Sequence, residues 1–309
     1  MRLLLASRID DDAEQVLRSR HDVVRAIGAS EPELAERAHD RQAIVFRSGV
    51  SIGSSVLDAP DLRLLVRAGS GLDNLDMDRV SARGIELQRV PGPGAQAVAE
   101  MTFAHMLGLA RQLPLADRLL RQGRWAKGEL QAYNLRGKTL GVIGLGSIGT
   151  RVAELGAAWG MTVIGCVENP SEGRRRRYAD KGIELVADCG AVLERADFVS
   201  VHVPLEDDTR GFIGAAELRR MKATAFLVNI ARGGVVDEEA LLEALRDGRL
   251  AGAGLDVHVH EGEGKVSPLA ELPNVILTPH IGAATVDAQR EIGRIVVDIV
   301  DRFSEEQGL

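Results

Sequence analysis

A stretch near the middle of the chain, TLGVIGLGSIGTR, predicts a strand, a glycine turn and the start of a helix. Gly144, Gly146 and Gly149 have the spacing GxGxxG, in which the first glycine allows a tight turn and the second lets a pyrophosphate approach the backbone. The third lets the helix pack closely on the strand, while the helix N-terminus faces the phosphates. In a chain with 34 glycines the spacing alone could mark a plain structural turn, but the flanking strand and helix predict a dinucleotide site.

Short apolar runs alternate with polar, helix-like stretches along the chain, an order typical of parallel sheets in α/β proteins. The first set of runs is RLLLA, AIVF, LRLLVRAG and GIELQRV. A second set follows a predicted long helix from Gln96 to about Leu113 and comprises TLGVIG, MTVIGCV, FVSVHV, AFLVNI, AGAGLDV and VILTP. Six such runs complete a doubly wound sheet. The predicted fold class is therefore α/β, with two doubly wound parallel-sheet domains.

The final segment, ATVDAQREIGRIVVDIVDRF, predicts a helix with no strand of its own. One stripe of that helix carries the apolar side chains Ile292, Ile295, Val296, Ile299 and Val300. We therefore expect this helix to return to the first set of strands. A chain of 309 residues suggests two domains. The order of the motifs predicts a Rossmann cofactor domain over residues 97–283, inserted into a flavodoxin-like substrate domain formed by residues 1–96 and 284–309.

Charge and cysteine content limit the expected partners and compartment. The net charge is −7 and the pI about 5.6, which gives no general attraction to nucleic acid or to an anionic membrane, so a small anion would need local arginines. Cys166 and Cys189 form no CxxC pair or disulfide framework, which predicts a reducing, cytoplasmic location. The opening MRLLLASRIDDDAE is too short and too soon acidic for a signal peptide, and no apolar run approaches the roughly 18 residues of a membrane span.

Charged side chains follow three of the later predicted strands. LVNIARGG places Arg232, GLDVHVHEGEG places Asp256 and Glu261, and ILTPHIGAAT places His280 after the strand ends. Sites in doubly wound sheets lie at this carboxyl edge. A guanidinium can bind a substrate carboxylate, and an imidazole oriented by a carboxylate can exchange a proton with a carbonyl oxygen. Each residue alone is better explained as a surface or capping charge, but the set predicts chemistry on a keto acid.

The motifs GKTLGVIGLGSIG, ADFVSVHVPL, NIARGGVVDEEALLEAL, AGAGLDV and TPHIGAAT occur in this order. Together they resemble the D-isomer-specific 2-hydroxyacid dehydrogenase family, and the resemblance covers the chain almost end to end. It implies NAD(P)-linked interconversion of a 2-hydroxy acid and a 2-keto acid. It also implies a homodimer built on a helix over Gln96 to Gln122 and the following GRWAKGEL segment. Arg232 then corresponds to the arginine that binds the substrate carboxylate, Glu261 to the partner of the histidine, and His280 to the acid/base.

The resemblance also implies cofactor and substrate contacts. Asp256 corresponds to the residue that bonds the nicotinamide amide. The implied cofactor contacts are Gly144, Gly146, Ser147, Ile148, Gly149, Val167, Glu168, Val203, Ile230, Ala231, Arg232, Asp256, His280, Ile281, Gly282 and Ala283. The implied substrate ligands are Arg47, Ser70, Gly71, Arg232 and His280. Two positions depart from the family pattern, because Gly262 follows Glu261 where proline is usual and Gly94 stands where an asparagine is usual.

The position that selects the cofactor also departs from the pattern. In relatives a ribose-binding aspartate lies eighteen residues past the third glycine, and Val167 occupies that position here. Valine cannot accept a hydrogen bond from the ribose, and its neutrality would tolerate the 2′-phosphate of NADP, which arginines at 174–177 could reach. Glu168, one residue later, would repel that phosphate and accept the ribose hydroxyls. We expect NAD, with NADP as the alternative.

For the substrate, the motif RAGSGLDNLD at residues 67–76 resembles the corresponding segment of relatives that act on D-3-phosphoglycerate and 3-phosphohydroxypyruvate. Phosphate needs cationic donors, and the candidates are Arg47, Arg67, Arg124 and Lys127. Arg47 and Arg67 could instead be surface charges at strand edges. Glyoxylate, hydroxypyruvate or another 2-keto acid therefore stays open. A binding protein that senses NAD without turnover is the alternative from a different functional class.

Three further groups have simpler explanations. His258, His260 and Glu261 have a spacing that could hold a metal, but without a nearby cysteine or third histidine we expect none. His202 is expected to be structural or to lie near the adenine rather than to be catalytic. The run Arg174–Arg177 is expected to be a solvated helix face rather than a phosphate clamp.

Overall fold

The computed structural model describes residues 1–72 and 74–309, and Asp73 of the RAGSGLDNLD motif lies outside the described residues. The described chain divides into two compact units, one formed by Met1–Gly94 with Ala283–Leu309 and the other by Ala95–Gly282. The functional assignment of domains at 1–96 with 284–309 and at 97–283 stays a prediction.

Strands and helices alternate along the chain, as the spacing of the apolar runs predicted. The strands of the described residues are β1 (Arg2–Leu5), β2 (Asp22–Arg25), β3 (Ala43–Phe46), β4 (Leu64–Arg67), β5 (Glu86–Arg89), β6 (Thr139–Ile143), β7 (Thr162–Cys166), β8 (Ile183–Val186), β9 (Phe198–Val201), β10 (Phe226–Asn229), β11 (Gly252–Leu255) and β12 (Val275–Leu277). The helices are α1 (Asp11–Arg20), α2 (Glu31–Ala38), α3 (Ser54–Leu57), α4 (Met77–Arg83), α5 (Gly92–Ala110), α6 (Leu113–Arg121), α7 (Ser147–Ala158), α8 (Glu172–Ala179), α9 (Cys189–Arg195), α10 (Ala215–Arg220), α11 (Glu238–Arg246) and α12 (Val286–Gln307).

The first unit contains a parallel sheet in the strand order β2-β1-β3-β4-β5. This is the flavodoxin-like order. Successive side chains of a strand point to opposite faces, so Leu3 and Leu5 of β1 enter one core layer and Leu4 enters the other. The central strands β3 and β4 are buried along their whole length, which explains why they are nearly continuous apolar runs.

The C-terminal helix α12 completes one of these core layers. Ile292, Val296 and Val300 lie in the same cluster as Leu3 and Leu5. The helix begins after Thr285, whose side chain accepts a hydrogen bond from the Ala288 N–H and so satisfies a donor that a helix N-terminus would leave unpaired. The helix therefore belongs with the first set of strands, as expected from its lack of a strand of its own.

The second unit contains a parallel sheet in the strand order β12-β11-β10-β9-β6-β7-β8. Counted from β6, this is the Rossmann order with a seventh strand added at one edge. The order reverses between β6 and β9, so the glycine turn that follows β6 lies at the point where ligands bind in such sheets. Both predicted sheets are present, and the α/β fold class is confirmed.

Two strands and the interruption of one helix were not predicted. The sequence did not predict β2 or β8, each of which is an edge strand with exposed and half-buried residues beside its buried ones. The predicted helix over Gln96 to Gln122 is two helices, because Gln112 adopts a left-handed backbone conformation with φ of 51° between α5 and α6. A residue in that conformation cannot continue an α-helix.

Cys166 and Cys189 form a disulfide, so the expectation of two unpaired cysteines is wrong. Cys166 ends β7 and Cys189 begins α9, and the fold brings their Cα atoms to 5.4 Å across 23 residues of sequence. That distance lies in the normal range for a disulfide. The pairing removes the support that unpaired cysteines gave to a reducing compartment. Among residues 1–72 and 74–309, no helix combines the length and apolarity needed to cross a membrane.

Candidate active site

The glycine turn has the geometry of a phosphate-binding loop. Gly144 has φ of 90°, and a Cβ there would lie 2.7 Å from the His202 carbonyl oxygen. A Cβ at Gly149 would lie 1.9 Å from the Gly144 carbonyl oxygen. Gly146 instead faces open space, and as the N-cap of α7 it offers no side chain to the free N–H groups of that helix. Two glycines are thus required by packing, and the third leaves the helix N-terminus open to an anion.

The residues after β7 lie beside this turn. Val167 is buried, and its N–H donates to the Val186 carbonyl oxygen at 3.2 Å, whereas Glu168 is exposed. A buried valine leaves Glu168 as the acidic side chain available at the position where relatives bind the ribose. The assignment of the ribose to Glu168 stays a prediction.

The arginine run after β7 is only in part a solvated helix face. Arg174 is half-buried, and its Nη2 donates to the Leu145 carbonyl oxygen in the glycine turn at 2.9 Å. Arg175 is also half-buried and donates to the Leu185 carbonyl oxygen, while Arg176 and Arg177 are exposed. The prediction is therefore wrong for Arg174 and Arg175, because the fold of α8 turns both guanidinium groups towards backbone acceptors.

A basic cavity of about 360 Å³ opens beside the glycine turn, between α7 and α8. Its walls include Gly146 and Ser147, and its cationic side chains are Arg151, Arg177 and Lys181. Lys181 is paired with Glu154, so part of its charge is already balanced. The cavity has the charge and the helix N-terminus that a phosphate group requires.

His280 and Glu261 form a hydrogen-bonded dyad in the second unit. The His280 Nδ1 lies 2.8 Å from Glu261 Oε2, and their side chains are 30% and 38% exposed. A proton on Nδ1 satisfies this hydrogen bond and leaves Nε2 as the nitrogen that exchanges a proton with a ligand. Exposure of this degree gives a ligand access to the pair, while the carboxylate fixes the orientation of the ring.

The electrostatics of the dyad keep Glu261 ionised. Partial burial raises the pKa of Glu261, but the hydrogen bond and charge of His280 and the His258 N–H outweigh it and hold the pKa below the ordinary value of 4.5. The carboxylate therefore stays charged at neutral pH. The charged carboxylate is the acceptor for the Nδ1–H of the imidazole beside it.

Asp256 holds the loop that carries His280. It is fully buried and accepts hydrogen bonds from the Thr278 hydroxyl at 2.5 Å, the Ile281 N–H at 2.9 Å and the Gly282 N–H at 2.7 Å. Its carbonyl oxygen accepts from the His280 N–H at 2.7 Å. His280 itself has φ of 54°, a conformation uncommon outside glycine. The multiple bonds to Asp256 explain how the chain sustains that conformation.

Arg232 lies on a tightly held turn after β10. Its carbonyl oxygen accepts a hydrogen bond from the Asn229 side-chain amide at 2.9 Å, and Asn229 Oδ1 accepts from the Ala231 N–H at 3.1 Å. Its guanidinium donates to the Ala231 carbonyl oxygen at 2.7 Å. Gly233 follows, where a Cβ would lie only 1.9 Å from the His258 carbonyl oxygen. The turn of Arg232 and the loop of Glu261 are therefore packed against each other.

The candidate substrate residues Arg47, Ser70 and Gly71 belong to the first unit. Arg47 follows β3, and partial burial lowers the pKa of its guanidinium. Arg67 is only 4% exposed; its Nε donates to the Gly71 carbonyl oxygen at 2.8 Å, and its guanidinium lies 5.8 Å from the centre of the Phe46 ring. The alternative of a surface charge is thus wrong for Arg67, which instead shapes the loop of Ser70 and Gly71.

Two other histidines near the site, His202 and His258, have structural partners. His202 Nε2 lies 2.7 Å from the Ser200 hydroxyl, and burial of the ring nitrogens lowers the pKa of His202 to about 3, so the ring is neutral. His258 Nε2 lies 3.0 Å from the Thr278 carbonyl oxygen. Within the described part of the chain, no group of three His, Cys, Asp or Glu residues is arranged to hold a metal ion.

Sequence reasoning missed several residues that support this site. Four of them form hydrogen bonds with the loops that carry Arg232, Glu261 and His280. These four are Asn229, Glu238, His258 and Thr278. Buried His105, in α5, lies with its Nε2 3.1 Å from the Thr278 hydroxyl. One available signal was His105 itself, a histidine within a mostly apolar helix.

The comparison with known families decides the lineage of this chain. Residues 103–282 match the model of the D-isomer specific 2-hydroxyacid dehydrogenase, NAD binding domain. The chain belongs to this family. A curated relative, the D-3-phosphoglycerate dehydrogenase of Methanocaldococcus jannaschii, is 39% identical over 98% of this chain and 57% of its own length. The hydroxypyruvate reductase of Thermotoga maritima is 36% identical over 97% of this chain and 96% of its own length.

A solved structure shows the same fold. The NADPH-dependent glyoxylate/hydroxypyruvate reductase of Sinorhizobium meliloti, in complex with NADP and malonate, is 31% identical with a TM-score of 0.85, and the match covers 97% of this chain and 92% of that one. The chain spans little more than half the length of the D-3-phosphoglycerate dehydrogenase that it matches, but nearly all of the two reductases. The family and the fold predicted from the motifs are thus supported together.

Proposed function

We propose that this protein is an NAD(P)-linked oxidoreductase that interconverts a 2-hydroxy acid and its 2-keto acid. The observation that carries the proposal is the His280–Glu261 hydrogen bond of 2.8 Å in a unit with an open glycine turn. That pair can exchange a proton with a carbonyl oxygen, and the turn can hold the pyrophosphate of the cofactor. Arg232, on the turn packed against the Glu261 loop, supplies the charge for a substrate carboxylate.

The reduction of a keto acid proceeds in one hydride and one proton transfer. The glycine turn of Gly144, Gly146 and Gly149 would hold a dinucleotide, which would supply a hydride for the carbonyl carbon. Arg232 holds the substrate carboxylate, and His280 gives the proton from Nε2 to the carbonyl oxygen as negative charge develops there. Glu261 stabilises the charged ring before the transfer. In the oxidation the same steps run in reverse, with His280 taking the hydroxyl proton.

For the substrate we propose 3-phosphohydroxypyruvate and D-3-phosphoglycerate, supported by the likeness to the M. jannaschii enzyme and by Arg47, whose half-buried guanidinium suits an anion. Arg47, Ser70 and Gly71 remain predicted ligands. Arg124 is exposed and paired with Glu129, which makes it a weaker candidate. The length match to the T. maritima protein keeps hydroxypyruvate as the second candidate, together with glyoxylate.

A panel of keto acids tests both the reaction and the substrate. We expect NADH oxidation with 2-keto acids, and a higher kcat/KM for 3-phosphohydroxypyruvate than for hydroxypyruvate or glyoxylate, because only the first can use an additional cationic donor. Initial rates at 340 nm with each keto acid provide the measurement. Equal kcat/KM values for the phosphorylated and unphosphorylated substrates would end the phosphoglycerate proposal. Cofactor binding without turnover of any keto acid would instead support a sensor.

For the cofactor we propose NAD, with Glu168 as the residue that holds the ribose. The Glu168→Ala variant should raise the KM for NADH about tenfold or more, the scale of one lost hydrogen bond to a charged group. The matched control is Glu172→Ala, which removes an exposed acid already paired with Arg176. Steady-state kinetics with both cofactors give the answer. A wild-type kcat/KM higher for NADPH would refute the preference and would assign the basic cavity beside Ser147 to the 2′-phosphate.

We also propose a homodimer that uses α6 and the segment after it. No residue of α6 is buried, although one face is apolar, and Leu113, Leu120 and Trp125 are 55%, 58% and 77% exposed. Apolar side chains exposed together in this way mark an interaction surface. Light scattering should give twice the 33.2 kDa of one chain, and Leu120→Asp with Trp125→Asp should give one chain. Val266→Asp, at a separate residue 81% exposed, is the control. A monomeric wild type at micromolar concentration would exclude this dimer.

A further inference from the structure

The loop that carries Glu261 has few regular contacts of its own. Residues 257–261 follow β11 and belong to neither a strand nor a helix. The contacts that hold this loop are made instead by the peptide that joins His258 and Val259. The carbonyl oxygen of that peptide faces Gly233, and its N–H, on Val259, donates to Glu238 Oε1 at 2.7 Å. The position of Glu261 therefore depends on a peptide that Glu238 holds.

Glu238 is arranged differently from an ordinary acid in the first turn of a helix. The cap of α11 is Asp237, whose side chain accepts from the N–H groups of Glu239 and Ala240. Glu238 is not needed for that purpose, and it is 8% exposed, whereas Glu239 beside it is exposed. A buried carboxylate is unfavourable unless it is hydrogen-bonded, so the bond to Val259 is a substantial constraint on both partners.

His258 connects the peptide that Glu238 holds to the dyad. The His258 N–H donates to Glu261 Oε1 at 3.2 Å, and the other oxygen of Glu261 meets His280 Nδ1 at 2.8 Å. His258 Nε2 also lies 3.0 Å from the carbonyl oxygen of Thr278, two residues before His280. His258, at one end of the peptide held by Glu238, thus bonds both to Glu261 and to the segment that leads to His280. Displacement of this peptide would move the Glu261 carboxylate away from the ring.

We propose that Glu238 is a positioning residue for the Glu261–His280 dyad, acting through the Val259 N–H rather than on the substrate. This inference rests on the proposed function only where turnover is the readout. The acceptor oxygen is what the arrangement uses, because the partner is a neutral backbone amide. A glutamine at position 238 keeps an acceptor at the same reach, whereas an alanine removes it and leaves the Val259 N–H unpaired.

The kinetic test compares Glu238→Ala, Glu238→Gln and the control Glu239→Ala, which removes the adjacent exposed acid. Glu238→Ala should lower kcat about tenfold, the effect of one lost hydrogen bond to a charged group, with a smaller change in the KM for the keto acid. Glu238→Gln should stay within about threefold of wild type, and Glu239→Ala should equal it. Equal losses in the alanine and glutamine variants would overturn the proposal, since the acceptor would then not matter.

A double mutant tests whether the effect passes through Glu261. If Glu238 acts on the dyad alone, adding Glu238→Ala to Glu261→Ala should cause no further loss of kcat. A further tenfold loss in the double mutant would assign Glu238 a general structural role and overturn the proposal. Thermal unfolding of each variant, followed by circular dichroism, identifies variants whose loss of activity comes from loss of fold.

A measurement without turnover separates this proposal from the proposed function. In the ¹H–¹⁵N NMR spectrum of histidine-labelled protein, the hydrogen-bonded His280 Nδ1–H should give a downfield signal, assigned by its loss in His280→Ala. The signal should persist in Glu238→Gln and Glu239→Ala and disappear in Glu238→Ala. Its persistence in Glu238→Ala would overturn the positioning role even if the protein were an active dehydrogenase. Its loss there would support the role even if no keto acid were turned over.

Discussion

Replacing His280 with alanine should lower kcat for the best keto acid at least about a hundredfold, the smaller end of the effect of removing a positioned acid/base. The side chain has the features that this role needs, namely a fixed ring, a charged partner at 2.8 Å and 30% exposure. The KM should change less than kcat, because Arg232 still binds the substrate carboxylate. Initial rates with saturating cofactor and varied keto acid separate the two parameters.

The control for this prediction is His260→Ala, an exposed histidine in the same loop region as Glu261. His260→Ala should leave kcat unchanged. A fall in kcat in both variants would instead indicate a general loss of loop order. The Glu261→Ala variant should fall between the two, since the ring keeps its place in the loop held by Asp256 but loses its charged partner. Near-normal turnover by His280→Ala would show that another group transfers the proton and that the assigned mechanism is wrong.

The sequence predicted the central strands and one edge strand of each sheet, but it missed the other edge strands, β2 and β8. β3 and β4 are buried on both faces, so their sequences are nearly continuous apolar runs and stand out from the surrounding residues. β2 and β8 are partly exposed edge strands, and DVVR and IELV contain charged residues that resemble those of the neighbouring helices. Short half-exposed strands therefore carry little signal in a single sequence.

The candidate site likewise combines residues at strand ends, which could be predicted, with supporting residues that only the fold brings there. Arg232, Glu261 and His280 could be predicted because the carboxyl ends of parallel strands meet at one edge. The supporting bonds of Glu238 and Thr278 could not, since they join residues 21 and 22 positions apart that only the fold brings together. The left-handed conformation of His280 is sustained by the bonds of its loop to Asp256 and has no signature in the motif.

Charged and sulfur-containing side chains were the hardest to place. Arg67 has the sequence context of a strand edge, yet it is buried because its guanidinium bonds to the Gly71 carbonyl oxygen and lies against an aromatic ring. Cys166 and Cys189 are far apart in sequence, and only the adjacency of the end of β7 and the start of α9 brings them together. In both cases the partner is a distant or backbone group, which residue spacing does not reveal.

Replacing Arg232 with alanine should damage both binding and rate, with a fall in kcat/KM of about 10² to 10³, the scale of removing one partner from a desolvated charge pair. Its carboxylate-binding contact is made in the ground state and retained in the transition state, so KM should rise while kcat falls. Arg232→Lys should restore little of the loss, because a single ammonium cannot reproduce the two parallel hydrogen bonds of a guanidinium.

The control is Arg219→Ala, at an exposed arginine of α10, which should leave both constants unchanged. The same turn contacts the peptide held by Glu238, so thermal unfolding must show that the variant keeps its stability. If stable Arg232→Ala protein kept a normal KM and kcat, the substrate carboxylate would have to be bound elsewhere.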